Sequence, residues 1–483
     1  MPGGAGRCRA GAIAIIVAHL ASSIDHMSGS TTSQGFAFQR EQFQQIVDDA
    51  LGIAKAQGAS DAAAEVSEGA GLSVSVRKGE LENVERNRDK SLGISVYLGQ
   101  RRGNASTSDF SRAAIEQTVR AAYDIARFTA EDPAAGLPEA EDLATPDVVG
   151  IDLDLFHPWA LDAEAAATLA RRCEDAAFGT SPKISNSEGG GTSAQQSHFW
   201  AGNSRGFRGG YASSRHSISV APIAGKGAGM QRDHWYSSER NALDLASPEA
   251  VGRYAAERAL SRLRSRQVAT CEVPVLFENT LAAGMLGSLV GALSGGSLYR
   301  RASFLLDSVG TSVLSDHLDV DEDPLIRGGK ASSAFDDEGV RTRKRRVVEA
   351  GVAQGYFLST YSARKLGLQT TGHAGGSQNL SLSSRLTQPG DHLDEMLRKL
   401  GRGLFVTELM GQGVNGVTGD YSRGAAGYWV EGGRIVHPVH EVTIAGNLRQ
   451  VFRQIVALGA DRYVSGGKTV GSMLVERMKV AGS

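Results

Sequence analysis

The stretch NTLAAGMLGSLVGALSGGSLYRR, residues 279–301, follows the apolar run Val273 to Phe277 after a single intervening residue, Glu278. A short apolar run followed by a long Leu-, Ala- and Gly-rich segment predicts a strand over 272–277 and a helix over 280–296. That helix can neither ligate, titrate nor attack until the segment reaches Arg300 and Arg301. The strand–helix pair opens the second half of the chain, read as residues 267–483.

Working back towards the N-terminus, Ser247 and Pro248 cap a helix over 247–266. The preceding residues, 183–242, alternate polar, aromatic and Gly residues as a β-meander does. A helix over 162–178 stands before them, and residues 131–160, with four of the chain's twelve prolines and many acids, read as a long surface connection. Residues 111–128 form an amphipathic helix with Ile115, Val119, Ala122 and Ala126 on one face. LSVSVRKGELENV and SLGISVYLG alternate as strands, with turns near Lys78-Gly79 and Arg88-Asp89. Phe43, Ile46, Val47, Ala50, Leu51 and Ala54 recur at helical spacing. Residues 36–266 are therefore a mixed N-terminal half.

The second half is richer in strands. Residues 403–435 read as a strand, a Gly-rich loop and a hairpin turning at Gly432-Gly433. A helix near 446–457 and a strand near 470–480 close the chain, and the fold class is α+β.

At 483 residues, with 41% hydrophobic and 22% charged residues, the chain is long enough for two or three domains. A net charge of −2 argues against a broad basic face for nucleic acid. Cys8, Cys173 and Cys271 form no CxxC pair, which fits a reducing compartment, here the cytoplasm. No window reaches eighteen consecutive apolar residues, so no membrane span is expected. RCRAGAIAIIVAHLASS (7–23) mimics a secretory signal. The rival reading, an upstream start with Met27 opening the protein, is preferred because the rest of the chain has no secretory traits. Residues 1–35, a mis-called start or a disordered leader, stay outside the fold argument.

Four motifs tempt a functional assignment. In HPVHEV (437–442) the two histidines sit three apart in an extended segment, on opposite faces, so a metal site is not expected there. DVDED (319–323) starts like a calcium loop, but Pro324 and Lys330 replace the Gly and Glu such a loop needs, leaving an exposed acidic turn. RTRKRR (341–346) suits a strand with a solvated charged face. GQGVNGVTGDYSRG (411–424) lacks the Lys-Ser/Thr of a phosphate loop and is followed by a strand. By motif alone no enzyme is named.

Longer stretches carry a resemblance. FDDEGVRTRKRRVVEAGVAQGYFLSTYSARKLGLQTTGHA (335–374), GLFVTELMGQGVNGVTGDYSRGAAGYWVEGGRI (403–435) and PVHEVTIAGNL (438–448) look like the C-terminal half of the TldD/PmbA family. VRKGELENVERNRDKSLGISVYLGQRRGNASTSDFS (76–111) and FTAEDPAAGLP (128–138) resemble its N-terminal half. The family is described as metalloproteases of peptide maturation or modulators of DNA gyrase. In TldD-type members the helix after the first C-terminal strand carries HExxxH, two histidines for zinc and a general base, with a Cys as a third ligand. On this chain the helix positions fall at Gly287, Ser288 and Ala292, and the Cys position near Thr407. The resemblance thus implies the PmbA (TldE) branch: a metal-free, non-catalytic subunit whose zinc resides in an HExxxH-bearing TldD-like partner. The pair would be a cytoplasmic heterodimer enclosing a cavity for unfolded or leader peptides, with a homodimer as the other assembly open to this chain when alone. Neither nucleic acid nor membrane is an expected partner. The alternative function is a stand-alone modulator without proteolysis. The small residues Gly284, Gly287, Ser288, Gly291 and Ala292 would let a neighbouring backbone come close. Asn415, Asp420, Tyr421 and Arg423 in the Gly-rich loop are the candidate peptide-binding residues.

Overall fold

The structure, a computed structural model, describes residues 35–482. Helix α1 (Arg40–Ala56) leads into β1 (Asp61–Arg77), β2 (Glu80–Leu98), β3 (Arg101–Thr107) and α2 (Arg112–Phe128). β1 and β2 form one long hairpin whose turn residues, Lys78 and Gly79, have φ of +53° and +78°. Positive φ at both positions matches the right-handed twist of the flanking strands. The second expected turn is absent: Arg88 and Asp89 continue β2 opposite Ala70 and Gly69. Charged residues can extend a strand when both faces stay wet, and Glu80 to Ser91 are all exposed.

A short α3 (Pro146–Val149) precedes α4 (Ala163–Thr180), β4 (Ile184–Asn203), β5 (Arg208–Gly209), β6 (Ala212–Ala224), β7 (Gln231–Arg232), β8 (Trp235–Glu239) and α5 (Pro248–Ser261). The strands make one eight-stranded sheet, β3-β2-β1-β4-β6-β7, with β5 on β4 and β8 on β6. Period-2 alternation sends Val66, Leu72, Val74, Ile94, Val96, Ile218 and Val220 to one face, where α1, α2, α4 and α5 cover them. The opposite face carries Ser67, Ser73, Ser193, Ser213, Ser217 and Ser219, all half-buried. Ser247 caps α5 by accepting from the Ala250 amide, with Pro248 in the first turn as expected, but the helix stops at Ser261.

Beyond it lie β9 (Cys271–Phe277), α6 (Asn279–Ala292), α7 (Gly295–Tyr299), β10 (Leu318–Asp323), β11 (Arg345–Glu349), β12 (Val352–Ala353), α8 (Thr360–Leu366) and β13 (Asn379–Ser384). Then follow α9 (Leu393–Leu400), β14 (Gly403–Met410), β15 (Asp420–Glu431), β16 (Arg434–Asn447), α10 (Leu448–Val451), β17 (Ile455–Leu458), β18 (Tyr463–Ser465), β19 (Lys468–Val470) and β20 (Met473–Ala481). One six-stranded sheet runs β12-β11-β10-β13-β19-β18. The other runs β16-β15-β14-β9-β20-β17, and a further β16–β20 pairing closes five of its strands into a ring. β9 lies inside that ring, parallel to β14 and antiparallel to β20. Its Val275 and Phe277 join the α6 core while Leu276 joins the α9 core, so both faces are buried and the run is continuously apolar. The α+β class and the strand-rich second half are as read from sequence.

Several expectations change. The helix read over 280–296 is two helices, α6 and α7, broken at Leu293–Ser294. The helix expected near 446–457 is one turn capped by Asn447. Thereafter Ile455 and Leu458 are drawn into the core as β17, which pairs with β20. DVDED is not an exposed turn but strand β10, with Glu322 fully buried between β11 and β13. RTRKRR is strand only from Arg345, whose side chain is not on a solvated face but bonds Glu322 at 2.8 Å. The connection 131–160 is anchored rather than superficial: Leu143, Val148, Leu153 and Leu155 pack with Phe207 and Phe335. The readings made on residues 1–34 lie outside the described residues. No helix among the described residues is long and apolar enough to cross a membrane.

Candidate functional site

The start of α6 is fixed by its neighbours. The Glu278 amide donates to the Val406 carbonyl, carrying β9 off the sheet beside β14. The Glu278 carboxylate takes both arms of Arg258 from α5, at 2.7 and 3.2 Å. Asn279 donates to the Asp461 carbonyl at 2.6 Å.

Along the helix, Gly287 is half-buried, and a Cβ there would lie 3.6 Å from Cε of Lys468. The Ser288 hydroxyl turns back to the Gly284 carbonyl. Ala292 is buried in the core. Thr407 sits where β14 bulges between Val406 and Glu408. Its hydroxyl is buried without a partner, and its carbonyl accepts from Arg258 at 3.3 Å. Zinc is held by thiolate, imidazole or carboxylate donors. These four positions offer two hydroxyls, and the side chain over Gly287 is a cation. They do not fit the ion that the resemblance places on this helix. Among the described residues no group of three His, Cys, Asp or Glu side chains is arranged to hold a metal.

The small residues of α6 do not serve a close backbone within the chain. A Cβ at Gly284 or Gly291 would meet nothing within 4 Å, and both residues are exposed.

The loop 411–424 is self-held. Asn415 Oδ1 accepts from the amides of Val417 and Thr418, and Asp420 accepts from the hydroxyl of Thr418 and the amide side chain of Asn447. Those two bonds hold the Asp420 carboxyl below its usual range. Gly413 lies so close to the Ser422 carbonyl, 1.7 Å from an added Cβ, that only glycine fits. Of the four candidate residues, Asn415 and Asp420 are exposed and engaged in the loop's own bonds. Tyr421 and Arg423 stand on one face of β15, with the Tyr421 hydroxyl and Arg423 Nε buried and unpartnered. Burial pushes the Tyr421 hydroxyl up to about 12. His437 and His440 lie in β16 as the extended segment expected, and both are half-buried.

Sequence reasoning missed an ionic cluster that meets the same point. Asp233 binds Arg258 at 3.3 Å and Arg262 at 3.4 Å, and Arg262 reaches Glu408 beside Thr407. Arg258 lies over the rings of Trp235 and Tyr254. Although burial alone would lower it, the Arg258 pKa is raised by Glu278 and Asp233. The i, i+4 spacing of Arg258 on α5 and Arg262 at its C-cap was the available signal. A second missed feature is a cavity of about 560 Å³ on the serine face of the large sheet, lined by Glu65, Asp337 and Glu338 among others. Burial first, then the neighbouring carboxylate, raises the pKa of Glu65 and of Asp337.

Comparison with known proteins places the chain in one family. The profile of PmbA/TldA metallopeptidase domain 1 matches residues 62–126, that of the central domain 156–263 and that of the C-terminal domain 270–482. The chain is 48% identical to metalloprotease PmbA of Escherichia coli O157:H7 over 445 residues, 92% of this chain and 97% of that one. A Bacteroides thetaiotaomicron crystal structure, named a modulator of DNA gyrase, superposes with a TM-score of 0.84 at 25% identity, covering 91% of this chain and 99% of that one. TldE from Thermococcus kodakarensis shares the fold, with a TM-score of 0.75 at 19% identity over 91% of this chain and all of that one. The chain belongs to the PmbA/TldD metalloprotease family and is of its PmbA type.

Proposed function

We propose that this chain is the metal-free subunit of a two-chain metallopeptidase, paired with an HExxxH-bearing TldD-like subunit that carries the zinc. The observation that supports this reading is the lack of metal donors at Gly287, Ser288 and Ala292 of α6 and Thr407 of β14, the positions to which the resemblance assigns the catalytic branch's ligands and base. The chain's own contribution is then to shape and line the substrate space. Peptide cleavage requires an extended substrate held against the metal, and half of that channel can come from a subunit without chemistry of its own. The exposed backbone of 411–418 and the serine face of the large sheet are the surfaces suited to it. Unfolded or leader peptides in the cytoplasm are the substrates.

The test is metal analysis and peptidase assay of the purified chain, alone and mixed with an HExxxH-bearing partner. Neither zinc nor cleavage is expected from this chain alone, and cleavage of an unfolded peptide is expected in the mixture. Stoichiometric zinc with activity from this chain alone would overturn the assignment. A mixture in which this chain changes nothing would favour a stand-alone modulator.

A further inference from the structure

On the serine face of the large sheet, away from α6, lies a cavity of about 420 Å³ whose walls include Arg215, Arg240 and Lys330. Arg240 follows β8 and spends its guanidinium on backbone carbonyls alone: Gly329 at 3.0 and 3.1 Å, Lys330 at 3.2 Å, and Leu155 and Ser214 at 3.5 Å. Arg215, on β6, gives one N–H to the Lys330 carbonyl at 3.2 Å. A guanidinium has five N–H donors, and no other bond of Arg215 is present among the described residues. Among the described residues no carboxylate lies within 4 Å of either guanidinium. Lys330 is different, since its ammonium binds Glu239 at 3.0 Å.

Two half-buried cations side by side without an anion are costly, because removal from water is compensated only by neutral carbonyl dipoles. Burial, then repulsion from Arg215, pushes the Arg240 pKa below its ordinary value. The acid on the cavity wall, Asp89, is exposed on β2 and makes no ion pair among the described residues. Apart from the cations Arg240 and Lys330, the remaining groups on the wall include the neutral Gln195, opposite Arg215 on β4, and Ser197 and Ser213, whose hydroxyls lie 3.3 Å apart. Such a wall lacks one thing, a planar anion able to take the free fork of Arg215.

We propose that this cavity is a carboxylate-binding subsite, in which Arg215 grips a peptide carboxylate end-on while half-buried Arg240 supplies a second, fixed positive charge. The carrier being a peptide rests on the function proposed above; the carboxylate chemistry does not. A C-terminal carboxylate and an Asp or Glu side chain share that chemistry.

Calorimetric titration of the full chain with three short acetylated peptides separates the cases: a free C-terminal acid, its carboxamide, and a carboxamide containing one Glu. The free acid is expected to bind, and Arg215→Gln to weaken it about tenfold, in line with one lost charge-assisted bond. Arg215→Lys should recover part of that loss, and thermal melting confirms that both variants fold. Tighter binding of the Glu carboxamide than of the free acid assigns the site to side chains, weaker binding assigns it to chain ends, and equal binding shows that it accepts either carboxylate. Equal affinity for acid and plain carboxamide, no binding of either acidic peptide, or an Arg215→Gln variant that binds like the parent would each overturn the subsite. The subunit function fails separately, in the mixed peptidase assay.

Discussion

Asp336 shows how a single side chain can set the pH response of the whole fold. It is 5% exposed, and its two oxygens accept from the amides of Glu338, Val340 and Ala374, each at 2.9 Å. Those bonds lower its pKa, but burial outweighs them and lifts it from 3.8 to about 7. Between those two values the native chain holds a proton that the unfolded chain has released. Stability therefore falls as pH rises through that window, and the loss is complete above about pH 7. A shift of this size corresponds to at most about 4 kcal/mol. Urea unfolding of the parent and of Asp336→Asn at pH 5 and pH 8 measures it. The variant has no carboxyl to ionise, so it should show a smaller drop between the two pH values and should gain on the parent at pH 8. An unchanged drop would show that Asp336 does not carry it. Nothing in FDDEG distinguishes Asp336 from Asp337 in sequence. The distinction comes from the turn that buries one carboxyl beneath three amides and leaves the other at a cavity wall.

At the scale of elements, glycines in two neighbouring helices behave oppositely. Gly252 lies where α5 crosses α4, and a Cβ there would sit 2.1 Å from the carbonyl of Cys173. That obstacle is backbone, so α4 and α5 must separate, with their shared core of Cys173, Ala177, Val251 and Ala255. Gly252→Ala should cost about 2–3 kcal/mol, as overpacking does. Gly284 on α6 meets nothing within 4 Å. Gly284→Ala should gain up to about 1 kcal/mol from helix propensity alone. Thermal melts that moved both variants in the same direction would reject this contrast. The same comparison explains what was legible. Local signals found α1, α2, α4, the start of α5, and the hairpin turns at Lys78-Gly79 and Gly432-Gly433, because caps and positive-φ turns are written in adjacent residues. They failed for β2, β10 and β17. There, tertiary pairing drew charged or helix-like stretches into sheets, and propensity is a weaker force than burial.

Across the whole molecule, the ring of strands was beyond the reach of sequence patterns. β9 finds its neighbours in β14 and β20, more than a hundred residues away, and no local period encodes such a pairing. The docking of the two halves was equally hidden, although it decides how the chain unfolds. Arg258 of α5 and Arg262 just after it hold Glu278 and Glu408 of the second half. Phe207 of the first half shares a cluster with Phe335 of the second and with Leu143 and Leu155 between them. On the other side, Asp132 binds Lys365 of α8 at 2.7 Å and Glu139 binds Arg364 at 2.7 Å. Separating the halves would leave Arg258 buried against aromatic rings without its bidentate partner, and would expose the Phe207–Phe335 cluster. Either half alone is then less stable than in the intact chain, so the two should melt as one unit. Near-ultraviolet and far-ultraviolet circular dichroism should give coincident unfolding midpoints in urea, and a calorimetric scan should show one peak. Two resolved transitions would mean that the ionic cluster and the shared aromatic contacts contribute too little to couple the halves. In that case the cavities between them, the candidate peptide-binding space included, would open without unfolding either half.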